Sequence, residues 1–328
     1  MTDFSTLVQQ KYDAALASKD LLFFEAETVK KDTRGINFEI TCVPSLGQKP
    51  KAKDNDDSKE GEKKEEKVDP FLSPNPNLLV EEKDQHLILL NKFCVVPNHI
   101  LVVTKEFRKQ TEPLFPTDLY ETWVALTTAY GKTPAVAFYN CGPNSGASQA
   151  HKHIQIMPLR HDGPQPPLLS AFEEIKDRKA GQIYTIDKIP FIHVITPLDR
   201  PFIDSSTSKD ELEDYLGQMF FGLLDGMFHQ MRQHTQPTKT SYNFVMTDQF
   251  MLLVPRSKES AILEHDGKAF EISVNSLGFA GLLLCKSDDE KKALEAHPDL
   301  LEFLVQLGMP WSNIVQPAEP AGEGGLAQ

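Results

Sequence analysis

The chain is short of cysteine, and none of its four, Cys42, Cys94, Cys141 and Cys285, falls in a C-x-x-C pair. That scatter argues against a zinc knuckle or a thiol redox motif, and the four read as buried thiols. No run comes near the roughly 18 consecutive apolar residues that span a bilayer, so a membrane partner is not expected. The opening residues, MTDFSTLVQQKY, lack the basic stretch and apolar core of a secretory signal, which makes the cytoplasm the expected location. Positive charge is scarce as well: 34 Lys and Arg against 47 Asp and Glu leave a formal charge of −13. Nucleic-acid binding rests on neutralising phosphates with cations, so no nucleic-acid partner is expected and an anionic ligand must be met by local donors. Regular strand-helix alternation is missing, and so is any repeat of roughly 20 to 50 residues.

What is present is a mixture of strand and helix patterns long enough, at 328 residues, for two lobes or one large α+β unit. Phe4, Leu7, Val8, Tyr12, Ala15 and Leu16 recur at helical spacing, and Ile36, Phe38, Ile40 and Cys42 alternate as in a strand. Residues 51–67 carry thirteen charges in seventeen positions and no apolar side chain larger than alanine, so they read as a disordered surface loop. Two strand-like runs follow, 87–93 and 100–104, then a helix with Thr117 as N-cap after Pro116, then a strand over 135–140. Ser208 and Glu211 form a capping box ahead of Leu212, Tyr215, Leu216, Met219, Phe220, Leu223, Met227 and Met231, a long one-faced helix. Strand patterns at 242–247, 250–254 and 282–285 precede a last helix interrupted at Pro298. The absence of βαβ regularity points to an antiparallel α+β sheet flanked by helices.

One segment carries chemistry. The run Tyr139-Asn140-Cys141-Gly142-Pro143-Asn144-Ser145-Gly146-Ala147-Ser148-Gln149 is small and polar, so its backbone N–H groups can approach phosphate oxygens. In the strand pattern that follows, His151, His153, Gln155 and Met157 share one face, and Lys152, Ile154 and Ile156 the other. A neutral imidazole is a capable nucleophile at cellular pH once a second group, His151 or a backbone carbonyl, fixes its tautomer. Gln155 offers an amide donor without a titratable proton, which suits charge stabilisation over leaving-group protonation. Spacing alone leaves a nucleophilic and a structural role for the histidines about evenly supported. Zinc is disfavoured, since the segment supplies no third ligand at a customary interval.

The glycine-bearing loop followed by H-x-H-x-Q resembles the transferase branch of the histidine-triad superfamily, where Gln stands in place of a third histidine. Asp69-Pro70-Phe71, the run from Leu90 through Cys94 to His99, and Ser273-Val274-Asn275-Ser276-Leu277-Gly278-Phe279-Ala280-Gly281 extend the likeness to the diadenosine tetraphosphate phosphorylases, also called ATP adenylyltransferases. The resemblance implies a histidine-triad-like sheet with an elaborated C-terminal half. It divides the chain into a catalytic half over 1–170, an adenylyltransferase half over 185–310 and a flexible tail over 311–328. His153 would attack the α-phosphorus, expel ATP and hold AMP until inorganic phosphate removes it as ADP, with reverse or exchange transfer open to the same site. By motif position His151 would support, and Lys49, Asn91, Lys92, Asn140, Gly146, Ala147, Ser148, Gln149, Gln155, Asn275, Ser276, Leu277, Leu282 and Lys286 would contact the nucleotide. Relatives commonly have serine at Ala147, which here would contribute only its N–H. The expected partners are a dinucleoside polyphosphate, ATP, ADP and phosphate. No tightly bound cofactor or protein-held metal is implied, a divalent cation carried in by the nucleotide being the remaining option. His99 and Arg256 stay unassigned. Two rivals are kept open: a hydrolase passing the same intermediate to water, and a nucleotide-binding protein without turnover.

Deleting residues 51–67 is expected to leave turnover within about threefold of the full chain, because so charged a segment contributes no core. A steady-state assay of the deletion variant checks this, and collapse of activity would mean the segment reaches the site.

Overall fold

Eight short runs of β-branched, aromatic and leucine residues pair into one fully antiparallel sheet. Its order is Val194–Pro197, Phe250–Arg256, Ser241–Met246, Ala135–Cys141, His153–Pro158, Ile100–Thr104, His86–Leu90 and Leu79–Glu82. The computed structural model describes residues 3–44, 69–160, 162–206, 208–234 and 240–311. Lys49, the charged run 51–67 and all of the tail beyond 311 lie outside the described residues. The α+β class and the antiparallel sheet are as the sequence pattern implies.

Alternation along the strands sorts the side chains between two cores. Ile100, Val102, Ala137, Tyr139, Ile154, Ile156, Phe244 and Met251 face helices Phe4–Ala17, Pro116–Thr128 and Lys209–His234. The long helix buries Leu216, Phe220, Leu223, Met227 and Met231 along one stripe, each stabilising by roughly 1.5–3 kcal/mol. Its first turn is capped as expected, with Ser208 Oγ accepting the Glu211 N–H at 3.2 Å. On the opposite face Val136, Phe138, Met157, Val245 and Leu252 pack against a three-stranded sheet and the C-terminal helices Asp288–Ala296 and Leu300–Val305. That smaller sheet pairs Glu27–Thr33 with Ile36–Cys42, and Ile36–Cys42 in parallel with Leu282–Cys285. The two halves of the chain therefore share both sheets. All four cysteines are free and buried.

Some local expectations change. Thr117 is not the N-cap: the helix starts at Pro116, and Asp118 in its first turn accepts the Phe115 N–H at 2.8 Å. The run 87–93 is broken, because the chain leaves the large sheet after Leu90 and pairs Phe93–Cys94 with Leu22–Phe23. A hairpin of Ser260–His265 and Lys268–Ser273 closes on an Asp266-Gly267 turn that the sequence pattern did not single out.

Beneath the start of the strand His153–Pro158 lies a buried ionic cluster. Lys152, fully buried, donates to the Pro113 carbonyl at 2.8 Å and to Asp118 at 3.2 Å, and sits 4.3 Å from the Phe115 ring centroid. The other Asp118 oxygen meets His86 Nε2 at 2.7 Å. Burial alone would push the Asp118 carboxyl up, but the His86 hydrogen bond, the Lys152 charge and the Phe115 N–H together hold it below the usual carboxylate range. Removing the shared anion leaves both partners uncompensated, so Asp118→Ala is expected to cost about 3–5 kcal/mol, and Lys152→Met distinctly less. Urea unfolding of the two variants measures the order, and equal losses would contradict it.

Candidate active site

His153 opens its strand between two neighbours: Val103 lies opposite it, and Gln155, two residues on, is flanked by Leu101 and Phe138. Ile154 and Ile156 anchor the opposite face in the helix-side core, so the alternation turns His153 and Gln155 toward a cavity of about 740 Å³ that both residues line. The ring is held by the residue two before it: Nδ1 lies 2.8 Å from the carbonyl oxygen of His151. A carbonyl only accepts, so the proton is on Nδ1 and Nε2 keeps its lone pair. Gln110 fixes the backbone on either side of the ring. Its Oε1 accepts the His153 N–H at 2.8 Å, and its Nε2 donates to the carbonyls of Asn140 at 3.0 Å and His153 at 3.2 Å. Burial pushes the His153 imidazole down to about 4, against the hydrogen bond to the His151 carbonyl. The ring is neutral throughout the physiological range.

His151 lies behind this wall, not on it. Its Nδ1 meets Asp69 Oδ2 at 2.8 Å and its Nε2 the Thr104 carbonyl at 2.7 Å, while Asp69 Oδ1 accepts the Phe71 N–H at 2.9 Å. Phe71 stands 5.2 Å from the His153 ring and 5.8 Å from that of His151, between centroids. The Asp-Pro-Phe motif thus holds one histidine by a carboxylate hydrogen bond and covers the other with an apolar ring. Neither Asp69 nor Gln110 was assigned a role from sequence. Gln110 sits in an irregular segment with no pattern to mark it.

The small-residue loop is shaped by contacts to the second half of the chain. Gly142 and Gly146 take φ of +88° and +80°, and a Cβ at these positions would stand 2.5 Å from Ser241 Oγ and 3.0 Å from Asn275 Cβ. Below the loop is a buried polar hub. Asn140 Oδ1 accepts from Asn243 Nδ2 at 2.9 Å, from the Ser276 N–H at 2.9 Å and from Ser276 Oγ at 2.7 Å. Arg256 donates to Asn243 Oδ1 and to the carbonyls of Val274 at 2.8 Å and Lys258 at 2.7 Å, with its guanidinium 4.8 Å from the Phe279 ring centroid. Arg256 is 1% exposed and occupied by carbonyls, so it builds the loop's floor and is no phosphate ligand. A lone arginine ending the apolar run from Met251 was the available sign of a buried charge.

Of the expected contacts, Asn91, Lys92, Gly146, Ser148, Gln149, Gln155, Asn275, Leu277 and Leu282 line the cavity with His153. Asn140 and Ser276 do not: both are buried behind the wall and bonded to each other. Ala147 belongs to the loop, half-buried, outside the lining, and Lys286 is exposed and also outside it. Lys49 falls outside the described residues. Among the described residues no three His, Cys, Asp or Glu gather in a way that could hold a metal ion, and none of the helices is long and apolar enough to cross a membrane.

Two family models divide the chain between them, the Ap4A phosphorylase N-terminal domain over residues 2–174 and the ATP adenylyltransferase C-terminal domain over residues 187–310. The chain belongs to the Ap4A phosphorylase family. Diadenosine 5',5'''-P1,P4-tetraphosphate phosphorylase 2 of Saccharomyces cerevisiae is 33% identical, across 95% of this chain and 96% of its own length. Protein APA1 of the same yeast is 30% identical, across 97% and 98%. The crystal structure of yeast Ap4A phosphorylase Apa2 in complex with Ap4A matches with a TM-score of 0.76 at 28% identity, covering 94% of this chain and 97% of that one. A second crystal structure of Apa2 is in complex with AMP. Membership in the Ap4A phosphorylase family accounts for both the H-x-H-x-Q segment and the fold, and makes the chain a nucleotidyltransferase.

Burial holds His99, His153 and His193 alike at about 4. An unfolded histidine titrates near 6.5, so between about 6.5 and 4 the unfolded chain takes up protons that the native chain refuses. The stability these rings contribute is therefore full above that window and is lost as pH falls through it, by at most about 1.4 kcal/mol per pH unit for each ring. Urea midpoints measured at about pH 7.5, 6 and 5 are expected to fall in that order, and a midpoint that does not move would mean the native rings are protonated.

Proposed function

We propose that the chain catalyses phosphorolysis of diadenosine tetraphosphate to ATP and ADP through an adenylyl group carried on Nε2 of His153. The observation that supports this most directly is the hydrogen bond from His153 Nδ1 to the His151 carbonyl, which leaves Nε2 as the nucleophilic nitrogen of a cavity-lining ring. In the first displacement the Nε2 lone pair attacks the α-phosphorus, the bond to the bridging oxygen breaks, and ATP leaves. The ring becomes a cationic phosphoramidate with Nδ1–H still on the His151 carbonyl. In the second, an oxygen of inorganic phosphate attacks the same phosphorus, the N–P bond breaks, its electron pair returns to Nε2, and ADP leaves. Splitting one transfer into two retains the adenylyl group for a chosen acceptor.

Gln155 fits the leaving group. A departing polyphosphate is already a stable anion, so it needs donors to its oxygens and no proton from an acid. The N–H groups around Gly146, with Ser148 and Gln149, supply further donors, and Lys92 at the cavity edge supplies charge for a chain that is anionic overall. A divalent cation, where the reaction uses one, would enter with the substrate's phosphates.

Enzyme mixed with adenine-labelled diadenosine tetraphosphate in the absence of phosphate and then denatured is expected to carry acid-labile AMP on His153, with ATP released in equal amount. His153→Asn should carry none. Adding phosphate should discharge the label as ADP. Label leaving as AMP would replace the phosphorylase by a hydrolase, and tight binding with neither label nor product would leave only a binding protein.

A further inference from the structure

His99 is a buried ring with no part in the two steps above. It immediately precedes the strand Ile100–Thr104, in which Ile100 lies opposite Ile156 and Leu101 opposite Gln155. Alternation turns His99 and Leu101 to the same side as Gln155 and Met157, and all four line the cavity. The His99 ring stands 6.1 Å from that of Phe138, which flanks Gln155 from the other neighbouring strand.

The surroundings fix its tautomer. Asn91 Oδ1 accepts the Phe93 N–H at 3.1 Å, so the amide end 3.3 Å from His99 Nδ1 is the nitrogen. A donor at Nδ1 makes that atom an acceptor and puts the ring proton on Nε2. The pair is held in place by the Asn91 N–H bonding the His99 carbonyl at 2.8 Å. His99 Nε2 is buried without a hydrogen-bond partner. Burial pushes the ring down to about 4, and the Gln155 side chain lies close enough to oppose that shift without completing a hydrogen bond. A buried N–H donor thus faces an amide whose orientation decides what a phosphate meets.

We propose that His99 is a positioning residue whose Nε2–H bonds Oε1 of Gln155 as the polyphosphate enters, so that the Gln155 NH₂ group is the end presented to the α-phosphate oxygens. The donors then run in one direction: Phe93 N–H to Asn91 Oδ1, Asn91 Nδ2–H to His99 Nδ1, His99 Nε2–H to Gln155 Oε1, and Gln155 Nε2–H to phosphate. Turned the other way, the amide would set a carbonyl oxygen against the anion. An unmet donor in a buried site is costly, which gives His99 a reason to hold the productive orientation. Asn91 belongs to this relay in addition to any contact with nucleotide. The assignment rests on the adenylyl-transfer reading above.

His99→Phe keeps a planar ring and removes the donor. It is expected to lower kcat for phosphorolysis about 10- to 100-fold with KM changed less than about threefold, and His99→Gln, whose amide can donate, to recover most of the loss. In a Gln155→Met background the same His99→Phe change should alter kcat by less than about twofold, because the partner is already gone. Full activity in His99→Phe, or an equal fold loss in both backgrounds, overturns the proposal. Nitrogen-15 NMR of histidine-labelled wild type reads the tautomer without any variant: Nε2–H supports the relay, and Nδ1–H overturns it. A wild type that forms no adenylyl-histidine defeats the transfer reading, and the NMR result separates that failure from failure of the relay.

Discussion

A single hydrogen bond, from His153 Nδ1 to the carbonyl of His151 just ahead of the strand, sets what the site can do. It selects the tautomer, aims the ring and leaves Nε2 with its lone pair. The carbonyl it uses must itself be stationary. His151 is therefore tied at both ring nitrogens, Lys152 is anchored into Asp118 and the Pro113 carbonyl, and Gln110 grips His153 from both ends. Three consecutive residues are thus fixed by three different means: a histidine–carboxylate hydrogen bond on one side, a buried charge cluster on the other and an amide clamp along the backbone. Buried ionic groups are a weak route to stability, since desolvation offsets their attraction. Their use directly beneath a cavity-lining ring fits a demand for geometry more than for folding energy.

The second half of the chain shapes the first half's loop. Asn140 Oδ1 gathers donors from Asn243 and Ser276, and Arg256 fills the space below with donors to backbone carbonyls. Buried carbonyls at a turn need partners, and one guanidinium satisfies several at once. The Ser145 carbonyl at the base of the loop is thereby met by Asn243 and Arg256, so the loop is held from below by the second half of the chain.

Much of this was legible where physics is local. Period-two alternation placed His153 and Gln155 on one face and the two isoleucines on the other, and helical spacing found the stripe from Leu216 to Met231. The tautomer of His153 was not legible from spacing, because it turns on which carbonyl lies 2.8 Å from the ring. Gln110 and Asn243 were invisible for the same reason, being neutral residues whose partners lie elsewhere in the chain. Asn140 and Ser276 were found as a pair of motif positions, yet they serve the wall from behind. Thr117 had the right side chain for a cap, but Pro116 opens the helix and the neighbouring Asp118 meets the free N–H instead. The Asp266-Gly267 hairpin had a clear turn signal, but neither of its strands keeps a clean alternation of apolar and polar residues throughout.

The strand Ala135–Cys141 pairs on one side with His153–Pro158, close by in sequence, and on the other with Ser241–Met246, where Asn140 meets Asn243 across 103 positions. During synthesis the first partner emerges almost at once, while the second follows after roughly 5 to 20 seconds at ordinary ribosomal rates. For that interval the sequence Ala-Val-Ala-Phe-Tyr is an apolar sheet edge with no cover, the kind of edge that recruits other strands. The bond network that later holds the loop therefore forms only once the second half of the chain has been made, and until then the strand Ala135–Cys141 has a neighbour on one side alone.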